Sequence, residues 1–436
     1  MKSTLFTSVL LTSFWLSGTA LAQPAALMPS PSLAILGLDE AVTIALATSP
    51  DARRASAMLE QARGMLLTAG TRPNPELGVD VENVGGNAPN KGFDSAELTY
   101  SLSQKIEIGG KRNARLKTAE AEGALAQLDS EGIQRDVAYA VKIAYMEALA
   151  AERRRDDARY QVKWAEKTLN GTSRLYRSGG ESAAQVAKGE ALLEQARLAL
   201  AQAEIDTQAT RQQFAALLGK AEVMEALEKT ALDYLAPLPV AITSSTAPAL
   251  QRAQLEINRA ESSLRQQRSL ALPDPSVGVG VRQFRENDSN ALVFNVSMPI
   301  PLFDRNRGEI IRANAQLVTA EADAAKTELT FRNRQSLLHQ TLNKHRKSAE
   351  LLKAKVIPAA EKALLDLGRG YEQGRNTLLD VQDSARTLQE SRQQLVEAQL
   401  GYQQTHAELE RDLALSATVT FPTLSPSSSI PTGDSQ

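Results

Sequence analysis

Apolar residues recur every three or four positions over most of this chain, and strict alternation replaces that spacing in four short stretches. These stretches are residues 76–82, 97–104, 276–283 and 291–298. Alternation is typical of a strand with one apolar and one polar face, whereas the longer spacing indicates helices. The pattern therefore predicts a mainly α protein with a small β part.

The order of elements is repeated. Pro73 and Pro75 precede the first strand, and Pro273 and Pro275 precede the third strand about 200 residues later. In each copy the pattern predicts a helix, a strand pair, a long helix, a Gly-containing turn and a returning helix. The sequence thus predicts two tandem repeats, residues 23–220 and 248–416, joined by a connecting segment at residues 221–247.

The predicted long helices are longer than the core of a globular domain requires. Residues 112–169 contain no proline, and a helix of that span would be roughly 85 Å long. Its counterpart over residues 305–368 contains Pro358, which we expect to kink or interrupt it. Returning helices are predicted over residues 182–218 and 377–415, and shorter helices over residues 38–69 and 248–269.

The two ends of the chain carry different signals. Lys2, an apolar run over residues 5–16 and small residues at 20 and 22 are typical of a secretory signal peptide, predicted over residues 1–22. Pro, Ser and Thr dominate residues 417–436, which predicts a disordered tail. The chain has no cysteine, so a lipid-modified cysteine anchor is excluded.

The number of strands and the net charge restrict the classes of function that fit this chain. A formal charge of -2 gives no electrostatic footprint for nucleic acid. In an exported chain, alternating strands of this length fit the wall of a transmembrane barrel. A soluble sandwich would need a second sheet, for which no strands are predicted. The smallest membrane barrels have about eight strands, so four per chain predict completion by other chains, and the number of copies stays open.

Motifs for catalysis or metal binding are not evident. His339 and His345 are too far apart along a helix to share a face, and His406 stands alone. No phosphate loop, nucleophile elbow or dinucleotide fingerprint occurs. We therefore expect no enzyme activity, no cofactor and no bound metal.

Several segments carry a family resemblance. The segment Gly370-Tyr371-Glu372-Gln373-Gly374, the following Leu379-Asp380-Val381-Gln382-Asp383 and the paired Pro-x-Pro strand starts resemble the outer membrane factors of Gram-negative efflux systems, the TolC-like family. Residues 106–112 (IEIGGKR) and 299–306 (PIPLFDRN) are similar to its CzcC-like branch, which serves heavy-metal cation efflux.

The resemblance implies a homotrimer in the Gram-negative outer membrane. Three chains would form a 12-stranded outer membrane β-barrel, in contact with lipid and continuous with a long periplasmic α-helical barrel. A periplasmic adaptor protein and a proton-driven inner membrane RND-type pump would complete a system that exports divalent cations such as cobalt, zinc or cadmium. Two alternatives stay open: the same duct serving multidrug efflux or type I protein secretion, and a periplasmic adaptor (membrane fusion) protein.

The resemblance also implies roles for residues near the helix ends. Asp380 and Asp383 are three residues apart and so share a helix face, which the resemblance places at the periplasmic constriction together with Tyr371 and Gln185. Considered alone, the two carboxylates would be an acidic pair favoured by the helix dipole. The turns implied to contact the adaptor contain Tyr176, Gly179, Tyr371 and Gly374.

Overall fold

The structure is a computed structural model that describes residues 35–87, 92–237 and 247–414. The predicted signal peptide, the predicted tail and part of the connecting segment lie outside these residues. Helices dominate the described chain, and a small sheet lies at one end of the longest of them. None of the described helices is both long and apolar enough to cross a lipid bilayer.

The first repeat contains four helices and the two strands of one pair, besides the two-residue strand β1 (Ile35–Leu36). Its longest helix has 67 residues, which corresponds to roughly 100 Å. The prediction of one helix over residues 38–69 is wrong, because Ser49 has an extended backbone and accepts a hydrogen bond from the backbone of Asp51, and Pro50 begins a new helix. The elements are α1 (Leu38–Thr48), α2 (Pro50–Gly70), β2 (Glu76–Glu82), β3 (Glu97–Lys105), α3 (Lys111–Arg177) and α4 (Ala183–Leu217).

The second repeat has the same order but differs in two ways among the described residues: a single helix precedes its strand pair, and its long helix is interrupted. A five-residue π-turn, Leu352–Val356, interrupts the α-helix just before Pro358. Proline has no N–H, and its ring would collide with the carbonyl four residues earlier, so the wider turn accommodates it. The elements are α6 (Pro248–Leu270), β5 (Ser276–Phe284), β6 (Ser289–Ser297), α7 (Arg307–Leu351), α8 (Ile357–Glu372) and α9 (Leu378–Leu413).

The two strand pairs form one antiparallel sheet in the order β2-β3-β5-β6. The β3–β5 pairing joins the repeats and sets Tyr100 opposite Val281. This register places most of the apolar strand residues on one face, where Leu77 and Phe294 are 79% and 74% exposed, whereas Val293 and Phe284 lie on the opposite face. Strands β2 and β6 each have a free edge within the described chain.

The connecting segment is more ordered than its sequence suggested. Ala226–Leu227 forms β4, which pairs in parallel with β1 (Ile35–Leu36), and Thr230–Asp233 forms α5. The Tyr145 hydroxyl of α3 donates to the Leu36 carbonyl and accepts from the Glu228 backbone N–H, both at 2.8 Å. These bonds and a buried cluster around Tyr145 fix the segment to the long helices.

Candidate functional site

The sheet presents two chemically different faces. Its polar face carries small residues, and a Cβ atom added to Gly280 would lie 2.6 Å from the Tyr100 carbonyl oxygen of the neighbouring strand. Only glycine permits the strands to approach so closely at this position. The opposite face is apolar and exposed, as expected for a sheet with lipid on one side and a lumen on the other.

The strand starts differ between the repeats. Pro273 and Pro275 flank Asp274, and the Ile106 backbone N–H donates to the Pro275 carbonyl at 2.9 Å. In the first repeat the Pro73 carbonyl accepts from the Gln104 side chain at 2.9 Å, and Pro75 is exposed. The second strand start therefore connects the beginning of β5 to the chain that follows β3.

Asp274 forms a buried ion pair at this junction. Its carboxylate lies 2.7 Å from Lys111 Nζ and accepts from the Ile108 N–H at 3.1 Å, and the Asp274 and Lys111 side chains are only 7% and 8% exposed. Burial raises the pKa of Asp274, but the hydrogen bonds from Lys111 and Ile108 outweigh it, so this pKa lies below its ordinary value. Sequence reasoning missed this pair. The only signal was an aspartate at 274 where the first copy has Asn74.

The two helix tips have the same turn geometry. Gly179 and Gly374 adopt left-handed conformations, with φ of 79° and 72°. In each turn a backbone N–H donates at 2.8 Å to the carbonyl five residues earlier, from Gly180 to Leu175 and from Arg375 to Gly370. Tyr176 is 47% exposed, and both turn glycines are exposed, so these tips present a surface to solvent.

Tyr371 differs from its counterpart Tyr176. It is only 4% exposed, and its hydroxyl lies 2.9 Å from the Thr172 Oγ1 of α3, so it links the two helical hairpins. Burial raises the pKa of this phenol. The sequence analysis expected Tyr371 at a constriction and at an adaptor contact; within the protomer its side chain packs inside the tip against residues such as Leu378.

Asp380 and Asp383 both lie at the exposed start of α9, but neither is a free charge. Asp380 Oδ2 accepts from the Thr377 backbone N–H at 2.9 Å, and the Asp380 N–H donates to Thr377 Oγ1 at 3.2 Å. Hydrogen bonds from Thr377 lower the pKa of Asp380. Asp383 lies 2.7 Å from Arg386, a partner that the sequence analysis did not consider.

Gln185 occupies the position in α4 that Asp380 occupies in α9, three residues after the N-cap. Its backbone N–H donates to the Ser182 hydroxyl at 3.4 Å. Its side-chain oxygen is buried and has no hydrogen-bond partner among the described residues. Buried polar atoms are normally paired, so this oxygen is an exception inside the tip of the protomer.

Metal-ligating side chains do not cluster in the described ranges. No group of three or more His, Cys, Asp or Glu side chains there could hold a metal ion.

Known proteins share this sequence and fold. The sequence profile of a family described as outer membrane efflux protein matches residues 41–220 and 243–414. The chain is 29% identical over 368 residues to the cobalt-zinc-cadmium resistance protein CzcC of Cupriavidus metallidurans, covering 84% of this chain and 86% of that protein. It is 30% identical over 336 residues to the nickel and cobalt resistance protein CnrC of the same organism, covering 75% and 77%.

A solved structure has a similar fold. The crystal structure of the outer membrane protein VceC from Vibrio cholerae matches with a TM-score of 0.72 at 20% identity, covering 86% of this chain and 95% of that chain. The similarity covers most of both chains, so the fold is shared.

Proposed function

The chain belongs to the outer membrane efflux protein family, a family of transport channels and not of enzymes, and from this premise we propose a specific duct. It is the outer membrane channel of a tripartite, proton-driven system that exports divalent heavy-metal cations from the periplasm. The observation that carries this proposal is the four-stranded sheet with one exposed apolar face and two free edges. Such a sheet is stable in a membrane only when its edges are paired and its apolar face meets lipid.

The proposed assembly contains three copies. Each copy contributes four strands to a 12-stranded barrel, with β6 of one chain pairing with β2 of the next. The long helices extend the same duct into the periplasm over roughly 100 Å. A periplasmic adaptor contacts the tips at Tyr176, Gly179 and Gly374, and an RND-type pump supplies the cargo. The exposure of both turns supports this contact.

The names of similar proteins support the proposed cargo. CzcC and CnrC are named for resistance to cobalt, zinc, cadmium and nickel, which favours divalent metals over organic drugs or a secreted polypeptide. The adaptor alternative does not fit, because the efflux-channel profile matches both repeats.

The proposed periplasmic constriction contains Asp380, Asp383 and Gln185. Both carboxylates lie on exposed chain at the start of α9, and Gln185 occupies the corresponding position at the start of α4, three residues after the N-cap. We propose a different role for Tyr371: its hydrogen bond to Thr172 holds the two helical hairpins of one chain together. Loss of that bond would let the tip open.

Gene deletion tests the cargo. Deleting the gene should lower tolerance of cobalt, zinc or cadmium, and a plasmid copy should restore it. A second strain should carry the Gly280→Ala chain, which cannot complete the sheet and so should not restore tolerance. Unchanged metal tolerance with new sensitivity to hydrophobic drugs would show a different cargo for the same duct.

A bilayer recording tests the constriction. With the purified protein in a planar bilayer, Asp383→Asn should weaken cation preference and block by divalent cations added from the helix side. The matched control is Asp323→Asn, an exposed acid of α7 outside the tips, which should change neither property. Equal behaviour of the two variants would move the constriction elsewhere on the tips.

A further inference from the structure

A charged cluster lies on the polar face of the sheet, at the end of the strands that carries the hairpin turns. We call Asp80, Glu82, Glu97 and Arg282 the wall cluster. Glu82 and Glu97 are directly opposite each other on β2 and β3. Like charges at such positions destabilise a strand pair, so the cluster needs a counterion.

Arg282 of β5 supplies that counterion from the diagonal position. Its guanidinium lies 3.1 Å from Glu82 and 3.0 Å from Glu97, and its Nε donates to Thr99 Oγ1 at 3.0 Å. All three guanidinium nitrogens therefore take part, and they cross-link three strands and the two sequence repeats. The arginine covers Thr99, which is buried although it lies on the polar face.

Charge is not fully balanced by this arrangement. Three carboxylates and one guanidinium leave two net negative charges per chain. In the middle of the strands the same face carries Gly78, Ser101 and Gly278, which are small and neutral, and at the helix end it carries one acid and one base, Glu76 and Lys105. Among the strand residues of this face, the wall cluster therefore carries the net negative charge.

This inference rests on the duct proposed above. We infer that Arg282 determines cation specificity at the exit of that duct, which is the end that carries the hairpin turns. The carboxylates of the wall cluster attract departing cations. Arg282 limits that attraction because it forms ion pairs with Glu82 and Glu97. A confined lumen strengthens such fields relative to open solution. Weak attraction suits an exit, since conduction requires that a cation also leave.

The test is block by cadmium ions added to one side of a planar bilayer at a time. For Arg282→Gln, which removes the counterion, the half-blocking concentration from the hairpin side should fall roughly twofold to fivefold. The double variant Glu82→Gln with Glu97→Gln should raise it by a similar factor. Block from the helix side should stay unchanged in both, because the wall cluster lies at the opposite end.

Three controls keep the result interpretable. Arg282→Lys retains the charge without the fork and should keep wild-type block, which separates charge from strand cross-linking. Arg265→Gln removes an exposed charge on α6, outside the sheet, and should change nothing. Heat resistance of the oligomer in detergent reports whether each variant is assembled.

The outcomes separate the inference from the duct itself. If the wild-type protein forms no conducting channel, the proposed function fails. If it conducts but Arg282→Gln leaves hairpin-side block as in the wild type, or the two charge changes act in the same direction, the wall cluster does not set exit specificity and the inference is wrong.

Discussion

Replacing Asp274 by Asn should destabilise the junction between the sheet and α3 more than any exposed carboxylate substitution. Lys111 would keep its charge in a site where it is 8% exposed and would lose the carboxylate 2.7 Å away. Removing one partner of a buried pair costs about 3 kcal/mol or more. Lys111→Met should cost less, about 1 to 2 kcal/mol, because Asp274 keeps the Ile108 N–H and Lys105 at 3.6 Å.

The double variant gives the decisive comparison. Asp274→Asn with Lys111→Met leaves no uncompensated charge, so its stability should return to within about 1 kcal/mol of the wild type. The assay is thermal unfolding of the detergent-solubilised protein, followed by circular dichroism at one scan rate because unfolding of such assemblies is commonly irreversible. Asp323→Asn, an exposed carboxylate of α7, is the matched control. If the two single effects simply add in the double variant, the pair is not coupled and the reasoning is refuted.

The same pair gives a pH dependence with a definite sign. The pKa of Asp274 is lower in the folded protein than its ordinary value. The ionised carboxylate therefore contributes its full stabilisation at pH values above its pKa in the unfolded chain, about 3.9. It is lost as the pH falls through the lower folded-state pKa. Asp274→Asn should therefore remove part of the acid sensitivity below about pH 4 and leave the slope between pH 5 and 7 unchanged.

Two further variants test the tip and the sheet. Tyr371→Phe should weaken the link to Thr172 by about 1 kcal/mol and speed hydrogen exchange in the last turns of α8, whereas Tyr176→Phe, at the equivalent exposed position, should not; equal exchange in both would contradict the link. Gly280→Ala should abolish assembly, because the added Cβ would meet the Tyr100 carbonyl oxygen at 2.6 Å, whereas Gly308→Ala on α7 has no atom within 4 Å and should assemble normally. An assembled oligomer of Gly280→Ala on a native gel would contradict the close strand approach.

The long-period helices and the alternating strands could be predicted because each has a strong local signal. The resemblance at residues 370–383 likewise predicted the family, which the comparisons confirm. Two-residue strands such as β1 and β4 carry no detectable period, so the order of the connecting segment could not be predicted. The break at Pro50 was detectable, since Ser-Pro is a common helix start.

Side-chain direction limited the site prediction. Tyr176 and Tyr371 occupy equivalent positions in the two repeats, yet one is exposed and the other is buried against α3. That difference depends on the packing of α8 against α3, which sequence periodicity does not specify. Asp274 was overlooked for a similar reason: between two prolines it suggests a turn, and its partner Lys111 lies 163 positions away in the other repeat.

The free edges of the sheet have a genetic consequence. Because β2 and β6 are different strands, each subunit in the proposed closed ring would offer a different edge to each neighbour, and contacts would be head-to-tail. A subunit with a damaged β6 edge still has a sound β2 edge, so it can be incorporated and then prevent closure. With equal expression of both alleles, roughly one in eight three-chain rings would lack a damaged subunit. Edge alleles should therefore be dominant over the wild type, whereas alleles that eliminate the chain should be recessive.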